Sequence, residues 1–260
     1  MTKPTVLIAI DTDAETTTEA FGRSFIESLC NLDGRLVPEK ISETESFKSP
    51  FRGVDDFLEN WWAIPQELRV DGHLEAEFYS GPMWLRKSAL ASRGMVSHGR
   101  VNRKSQKIPS QLWYEARWAN DVDFDNLFEK WASLSAADIG LLHLFTDAEK
   151  DLYHGPEGRS FQVGSFGGPA KPGLPNIGWA MAYGRSYAAM VDVARIKAAG
   201  FSVDERNGVA IVRVTDKLSD VVDDFAYFSQ RRAALKALFP PDLFWIKEEP
   251  GFKSNLNPTP

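Results

Sequence analysis

Two hydrophobic periodicities divide the chain into predicted strands and helices. Residues 6–10 form a continuous apolar, β-branched run, which is typical of a buried strand. Residues 74–78 alternate apolar with polar side chains, the pattern of a half-buried strand, and residues 112–118 behave similarly. Further strands are predicted over 139–145, 209–214 and 243–246.

Apolar residues spaced at about 3.6 positions predict the helices. These helices fall over 18–32, 53–64, 124–134, 179–199 (in two pieces) and 221–239. Strands and helices follow one another without a strict strand–helix–strand alternation, which favours an α+β fold with a mixed, largely antiparallel sheet. We expect the helices to pack on one face of that sheet.

The domain organisation follows from length and from one glycine-rich stretch. A chain of 260 residues fits one large domain or two small ones. We expect a single domain over 1–250 and a flexible tail over 251–260, with two similar α/β halves, 1–135 and 136–250, as the alternative. Residues 153–178 hold seven glycines and four prolines, which predicts a long irregular loop of the kind that often carries function.

The composition indicates a cytoplasmic protein. Hydrophobic residues make up 43% of the chain and charged residues 25%, as in ordinary globular proteins. The longest apolar run, 6–10, is far shorter than the ~20 residues that a membrane span needs, and the first residues lack a signal-peptide pattern. The single cysteine, Cys30, excludes an internal disulfide. We therefore expect a cytoplasmic protein without a membrane partner.

Charge is unevenly distributed along the sequence. The net charge of −6 disfavours nucleic acid as a partner. Residues 81–118 nevertheless hold eight Lys or Arg against one acid, whereas residues 121–157 hold nine acids against two lysines. Such an asymmetry is typical either of a charged interface or of ordinary solvated faces.

Most catalytic and metal-binding motifs are missing from the sequence. The four histidines are scattered and only one cysteine is present, which argues against a structural zinc site. The sequence contains no G-x-S-x-G, Walker A or G-x-G-x-x-G motif. We therefore predict a protein that is not an enzyme and that uses no metal or other cofactor.

One carboxylate pattern supports an alternative. Asp11-Thr12-Asp13 follows the first predicted strand, and Asp216 and Asp220 follow a later one. With Thr146 and Lys197 between them, this order resembles the haloacid-dehalogenase-like phosphatases. The resemblance implies Asp11 as nucleophile, Asp13 as general acid, and Asp216 and Asp220 as magnesium ligands. Glu15, where that family has Thr or Val, and the missing glycine before Asp216 depart from the motif.

Three kinds of side chain are candidates for binding a protein partner. Acids that compete with phosphates for a cationic cleft favour fast, specific association, and partly exposed aromatic or Arg side chains favour hot spots. The candidate residues are the acids Asp121, Asp123, Asp125, Asp220, Asp223 and Asp224, the aromatics Tyr153 and Trp179, and the basic residues Arg100 and Arg103.

The C-terminal part of the chain contains a series of short segments in a fixed order. They are Leu152-Tyr153-His154-Gly155-Pro156, Gly164-Ser165-Phe166, Gly168-Pro169, Asn176-Ile177-Gly178-Trp179-Ala180, Tyr183-Gly184, Tyr187, Ala198-Ala199-Gly200-Phe201, residues 218–225 and residues 238–244. In this order the segments resemble bacterial immunity proteins of type VI secretion and polymorphic toxin systems, in particular the immunity protein 52 group.

The resemblance implies a non-catalytic cytoplasmic inhibitor without a cofactor. Such a protein binds one cognate toxin, in this group a nuclease, and covers its active site. The resemblance provides no catalytic residue, and it leaves open whether the protein is a monomer or a homodimer.

Overall fold

The computed structural model describes residues 4–71, 73–102, 105–146, 173–246 and 249. The strands are β1 Thr5–Thr12, β2 Lys40–Ser42, β3 Ser49–Pro50, β4 Ile64–Val70, β5 His73–Ser80, β6 Met83–Arg86, β7 Ser92–Ser97, β8 Arg100–Val101, β9 Lys107–Ile108, β10 Ser110–Arg117, β11 Ile139–Phe145, β12 Ala180–Tyr183, β13 Ser202–Arg206 and β14 Val209–Arg213. The α-helices are α1 Glu19–Cys30, α2 Val54–Phe57, α3 Phe124–Leu134, α4 Arg185–Ala188, α5 Val193–Ala198, α6 Asp220–Asp223 and α7 Phe225–Lys236. A 3₁₀ turn at Gly34–Leu36 and a π-helical turn at Leu58–Trp62 complete the described elements.

Ten of the strands form one sheet in the order β13-β14-β12-β11-β1-β10-β7-β6-β2-β3. Every neighbouring pair in this sheet is antiparallel. Two short ribbons, β4-β5 and β8-β9, stand outside it. The predicted α+β class with a largely antiparallel sheet is confirmed.

The sheet is covered by helices on both faces, so the expected one-sided arrangement is wrong in part. A Cβ added at Gly140 would lie 3.1 Å from the Phe128 ring, so one face of β11 meets α3. On the same face, the Phe25 ring of α1 stacks at 4.2 Å on Trp131. His143, three residues after Gly140 and therefore on the opposite face of the strand, stacks at 5.7 Å on Phe228 of α7. Because β11 is buried on both faces, it needs a helix on each.

Two further sequence-based assignments differ from the structure. Residues 180–183 form strand β12 between β11 and β14 rather than the start of a helix. This short apolar run is fully buried, and periodicity alone does not separate a buried strand from a helical segment. Residues 243–246 contribute an isolated bridge between Phe244 and Leu174 rather than a strand.

The strand directions define two ends of the sheet. We call the end at which β1 starts and at which β6, β10 and β14 finish the basal end, and the opposite end the apical end. Chain segments that are far apart in sequence meet at the basal end because β10 and β14 both terminate there.

Candidate functional site

An acidic groove lies at the basal end of the sheet, with a volume of about 330 Å³. Its lining includes Trp118, Asp121, Asp123, Asp125, Trp179 and Asp216. Asp121 and Asp123 come from the segment between β10 and α3, Asp125 lies in the first turn of α3, and Asp216 comes from the segment after β14. The structure therefore brings together two acidic stretches that are about 90 residues apart in the sequence.

Three of these carboxylates are held in place by named donors. Asp123 caps α3 by accepting a hydrogen bond of 3.0 Å from the Asn126 backbone N–H, as expected at a helix start. Asp121 accepts from Arg35 Nη2 at 2.9 Å. Asp125 accepts from Arg213 Nε at 2.9 Å. The groove therefore presents acids at fixed positions.

Asp216 differs from its neighbours because it is exposed. Within the described part of the chain it makes no hydrogen bond or ion pair. Its negative charge is therefore available to a partner at the rim of the acidic groove.

Arg213 binds several carboxylates beneath the acidic groove. Its side chain is only 7% exposed and contacts three carboxylates, those of Asp125, Asp204 and Glu129. Burial raises the pKa of Asp125 even though the hydrogen bond from Arg213 acts in the opposite direction. Arg206 also contacts Glu129, so the cluster holds three acids against two guanidinium groups and has a negative balance.

Acidic residues continue along the surface beyond Asp216. Asp220 and Asp223 lie in α6, and Asp224 caps α7 by accepting from the Tyr227 backbone N–H at 3.1 Å. Tyr227 is itself 45% exposed. Tyrosine is one of the residue types enriched in protein-binding hot spots, so Tyr227 is a further candidate contact.

The remaining candidate binding residues are buried, lie away from the acidic groove or lie outside the described residues. Trp179 is only 1% exposed, and its Nε1 donates to Thr215 Oγ1 at 3.0 Å, so it forms the floor of the groove rather than an exposed anchor. Arg100 is exposed, but it lies in the β8–β9 ribbon at the apical end, away from the acids. Tyr153 and Arg103 lie outside the described residues.

A basic cleft adjoins the acidic groove. It has a volume of about 410 Å³, and its lining includes Arg86, Lys87, Arg93, Arg117, Ser92 and Glu115. Arg117 lines the cleft and the next residue, Trp118, lines the groove. The charge asymmetry of the sequence therefore becomes two neighbouring surfaces of opposite sign.

The phosphatase-like carboxylates are not brought together. Asp11 lies at the apical end, where the register places it level with Ile139, Tyr183 and Ala210 on successive strands. Asp216 comes six residues after Ala210, beyond the basal end of β14. In the parallel sheets of such phosphatases these residues meet, whereas alternating strand directions send them to opposite ends. The predicted set Asp11, Asp13, Asp216 and Asp220 is therefore wrong as a single site.

The described residues also contain no group of three or more His, Cys, Asp or Glu side chains placed to hold a metal ion. No helix in the same residues is both long enough and apolar enough to cross a membrane.

No protein-family model and no curated protein matches the chain. Among solved structures, the chain is similar to the Pseudomonas aeruginosa T6SS protein PA0821, with a TM-score of 0.60. The alignment covers 93% of this chain and 77% of that chain at 10% sequence identity. The two chains share a fold. At 10% sequence identity, the comparison shows the fold alone.

The sequence analysis did not identify two residues that accompany these acidic side chains, Arg213 and Tyr227. Arg213 ends a β-branched strand, and its charge at the last strand position was the available signal. Tyr227 follows the cap residue Asp224 by three positions, which places it in the first helical turn beside the acids.

Proposed function

We propose that this chain is an immunity protein that binds and neutralises a cognate secreted antibacterial toxin, a nuclease effector, by covering its active site. The observation that carries the proposal is the acidic groove, in which two separate acidic stretches converge beside Trp118. The shared fold with a T6SS protein and the immunity-like sequence segments support the same function.

The negative charge of the acidic groove favours competition with a nucleic acid for the cleft of a nuclease. Nucleases bind phosphates largely through Lys and Arg, so their clefts carry a positive field. Asp121, Asp123 and Asp216 present negative charges to such a cleft. Because a hydrogen bond fixes each of the first two carboxylates, ordering them on binding costs little conformational entropy.

Co-expression with a candidate toxin tests the proposal. The toxins to be tested are the products of the genes that flank the gene encoding this chain, and the readout is the survival of bacteria that express both proteins. We expect the unaltered chain to restore growth, and the double variant D121N/D216N to protect at least about ten-fold less well, because lost charge complementarity slows association.

A matched control removes two exposed acids elsewhere. Glu75 and Glu77 lie on β5, in the ribbon outside the main sheet. The variant E75Q/E77Q has the same net charge as D121N/D216N and should protect fully. Absence of rescue by the unaltered chain contradicts the function, whereas equal protection by both variants contradicts only the assignment of the groove.

A further inference from the structure

A buried network of hydrogen bonds surrounds His98 at the apical end of the sheet. His98 directly follows β7 and is only 2% exposed. Its Nε2 lies 2.7 Å from the Trp62 carbonyl oxygen, and its Nδ1 lies 2.9 Å from Thr16 Oγ1. Thr16 Oγ1 in turn lies 2.9 Å from Ser110 Oγ, which accepts from the Gly99 backbone N–H at 2.8 Å. One imidazole ring therefore joins the segment after β1, the π-helical turn, the end of β7 and the start of β10.

These partners determine where the hydrogens of the network lie. A carbonyl oxygen can only accept, so His98 Nε2 carries a hydrogen, and Nδ1 of the neutral ring is then an acceptor. Thr16 donates its one hydroxyl hydrogen to that Nδ1. The Ser110 hydroxyl therefore donates to Thr16 Oγ1, and its oxygen accepts from Gly99. With the ring neutral, both hydroxyls of the network donate one hydrogen bond and accept another.

A second proton on His98 disrupts this order. Nδ1 then becomes a donor, so Thr16 has to accept from it and turn its own hydrogen towards Ser110 Oγ. The buried Ser110 hydroxyl hydrogen thereby loses the acceptor that the network gives it, which is costly for a polar group away from water. The protonated ring also places a positive charge in a buried site, which is unfavourable unless an acid lies beside it.

The charged groups around the ring do not supply such an acid. The segments that meet at His98 carry the charged side chains Asp13, Glu15, Glu59, Arg100 and Lys107. The charge of Glu15 favours protonation of His98, but this carboxylate is exposed and accepts from the Thr17 backbone N–H at 3.0 Å. The Trp62 ring, which packs edge-on at 5.2 Å, is not ionisable. Burial therefore prevails and lowers the pKa of His98 from its ordinary value of 6.5.

We propose that His98 is a pH-sensitive latch at the apical end of the sheet. While the ring is neutral, the latch is closed and holds the Thr16 segment and the π-helical turn against β7 and β10. In the opened form, water reaches the ring, which then takes up a proton as an ordinary histidine does. Because the closed form binds this proton less well than the opened form, opening becomes easier as the pH falls below 6.5, by up to about ten-fold for each pH unit.

This inference does not depend on the proposed function, because it concerns the opposite end of the sheet and needs no toxin. Amide hydrogen exchange of the purified full chain, followed by NMR and corrected for the intrinsic pH dependence of exchange, tests it. The Gly99 amide reports on the latch, since its hydrogen bond to Ser110 belongs to the network. We expect its protection factor to fall about five- to ten-fold from pH 7.5 to pH 5.5, while amides of the central strands β1 and β11 lose no protection.

The His98 ring and two variants provide further readouts. At pH 7.5, nitrogen–proton correlations of the imidazole should show a neutral ring with its hydrogen on Nε2. H98Q keeps a donor for the Trp62 carbonyl but cannot titrate, so its Gly99 protection should not depend on pH over this range. H73Q removes an exposed histidine on β5 and should respond as the unaltered chain does. If H98Q fails to fold, the imidazole and exchange measurements on the unaltered chain and on H73Q decide.

Three results overturn the proposal. They are a hydrogen on Nδ1 of His98 at pH 7.5, a Gly99 protection factor that does not fall with pH, and an equal fall in H98Q and in the unaltered chain. The first result contradicts the network, and the second shows that acid does not open the latch. The third assigns the response to another titrating group.

Discussion

Asp11 shows how strongly burial acts on a single side chain. It is the seventh residue of β1, and it is only 8% exposed. Gln111 on the neighbouring strand donates to its Oδ1 at 3.1 Å. Burial nevertheless raises the pKa of Asp11 to about 7, and the charge of Asp138 acts in the same direction. The folded protein therefore favours the neutral acid at this position.

This pKa predicts how the free energy of unfolding depends on pH. Between pH 3.8 and about 7, the folded chain retains a proton on Asp11 that the unfolded chain releases, so stability falls as the pH rises through this window. Above about pH 7 this contribution is constant. The variant D11N keeps an acceptor for Gln111 but has no proton to lose. Its stability relative to the unaltered chain should increase across the window, by ~4 kcal/mol at most.

Urea unfolding of both proteins at several pH values across that window measures the effect. D13N, which removes an exposed carboxyl two residues away, controls for the loss of a negative charge. Parallel curves for D11N and the unaltered chain across the window would show that Asp11 does not keep its proton.

At the scale of secondary-structure elements, the guanidinium group of Arg213 connects β14, on which it lies, with β13 and α3. It lies at the end of β14 and binds Asp204 of β13 together with Asp125 and Glu129 of α3. The rim of the acidic groove therefore depends on an ion-pair cluster beneath it. Removing the cation leaves Asp125 and Asp204 without this partner and Glu129 with Arg206 alone, which costs far more than losing a surface pair.

We expect R213M to lower the free energy of unfolding by about 3–5 kcal/mol. R206Q is the matched comparison, because Arg206 contacts Glu129 from a side chain that is 57% exposed. Its loss should cost no more than ~1 kcal/mol. Denaturant unfolding at neutral pH measures both variants, and similar losses for the two would argue against a structural role for Arg213.

The sequence predicted elements well where one periodicity dominated a long segment. The apolar spacing of α3 and the uninterrupted runs of β1 and β11 gave their type and approximate bounds. Strand β12 was assigned wrongly because four buried apolar residues fit either period. Only part of the acidic groove could be predicted from the sequence. The acids were identified, but their meeting depends on where β10 and β14 end, and single-sequence patterns do not contain strand order.

At the scale of the whole molecule, two surfaces of opposite charge lie side by side at the basal end. Strand direction places Arg117 in the basic cleft and the next residue, Trp118, in the acidic groove. Partners whose charges are arranged in the complementary way are guided towards one orientation as they approach. Such guidance acts mainly on the rate of association.

Under the proposed function, the association rate constant with the toxin should therefore fall steeply as NaCl is raised from about 50 to 300 mM, because salt shortens the range of these charges. D121N/D216N should show a shallower dependence and a dissociation rate close to that of the unaltered chain. Surface plasmon resonance on the purified pair measures both rates. An association rate that does not change with salt would contradict electrostatic guidance.

The central position of β1 has a consequence for the growing polypeptide. Ile8 pairs with Tyr114 on one side and with Leu142 on the other, more than a hundred residues later in each case. At ~5–20 residues per second, a ribosome needs roughly 5–20 s to supply the nearer neighbour. During this part of synthesis, the apolar stretch 6–10 has no neighbouring strand to pair with. We therefore expect it to be a segment that chaperones bind.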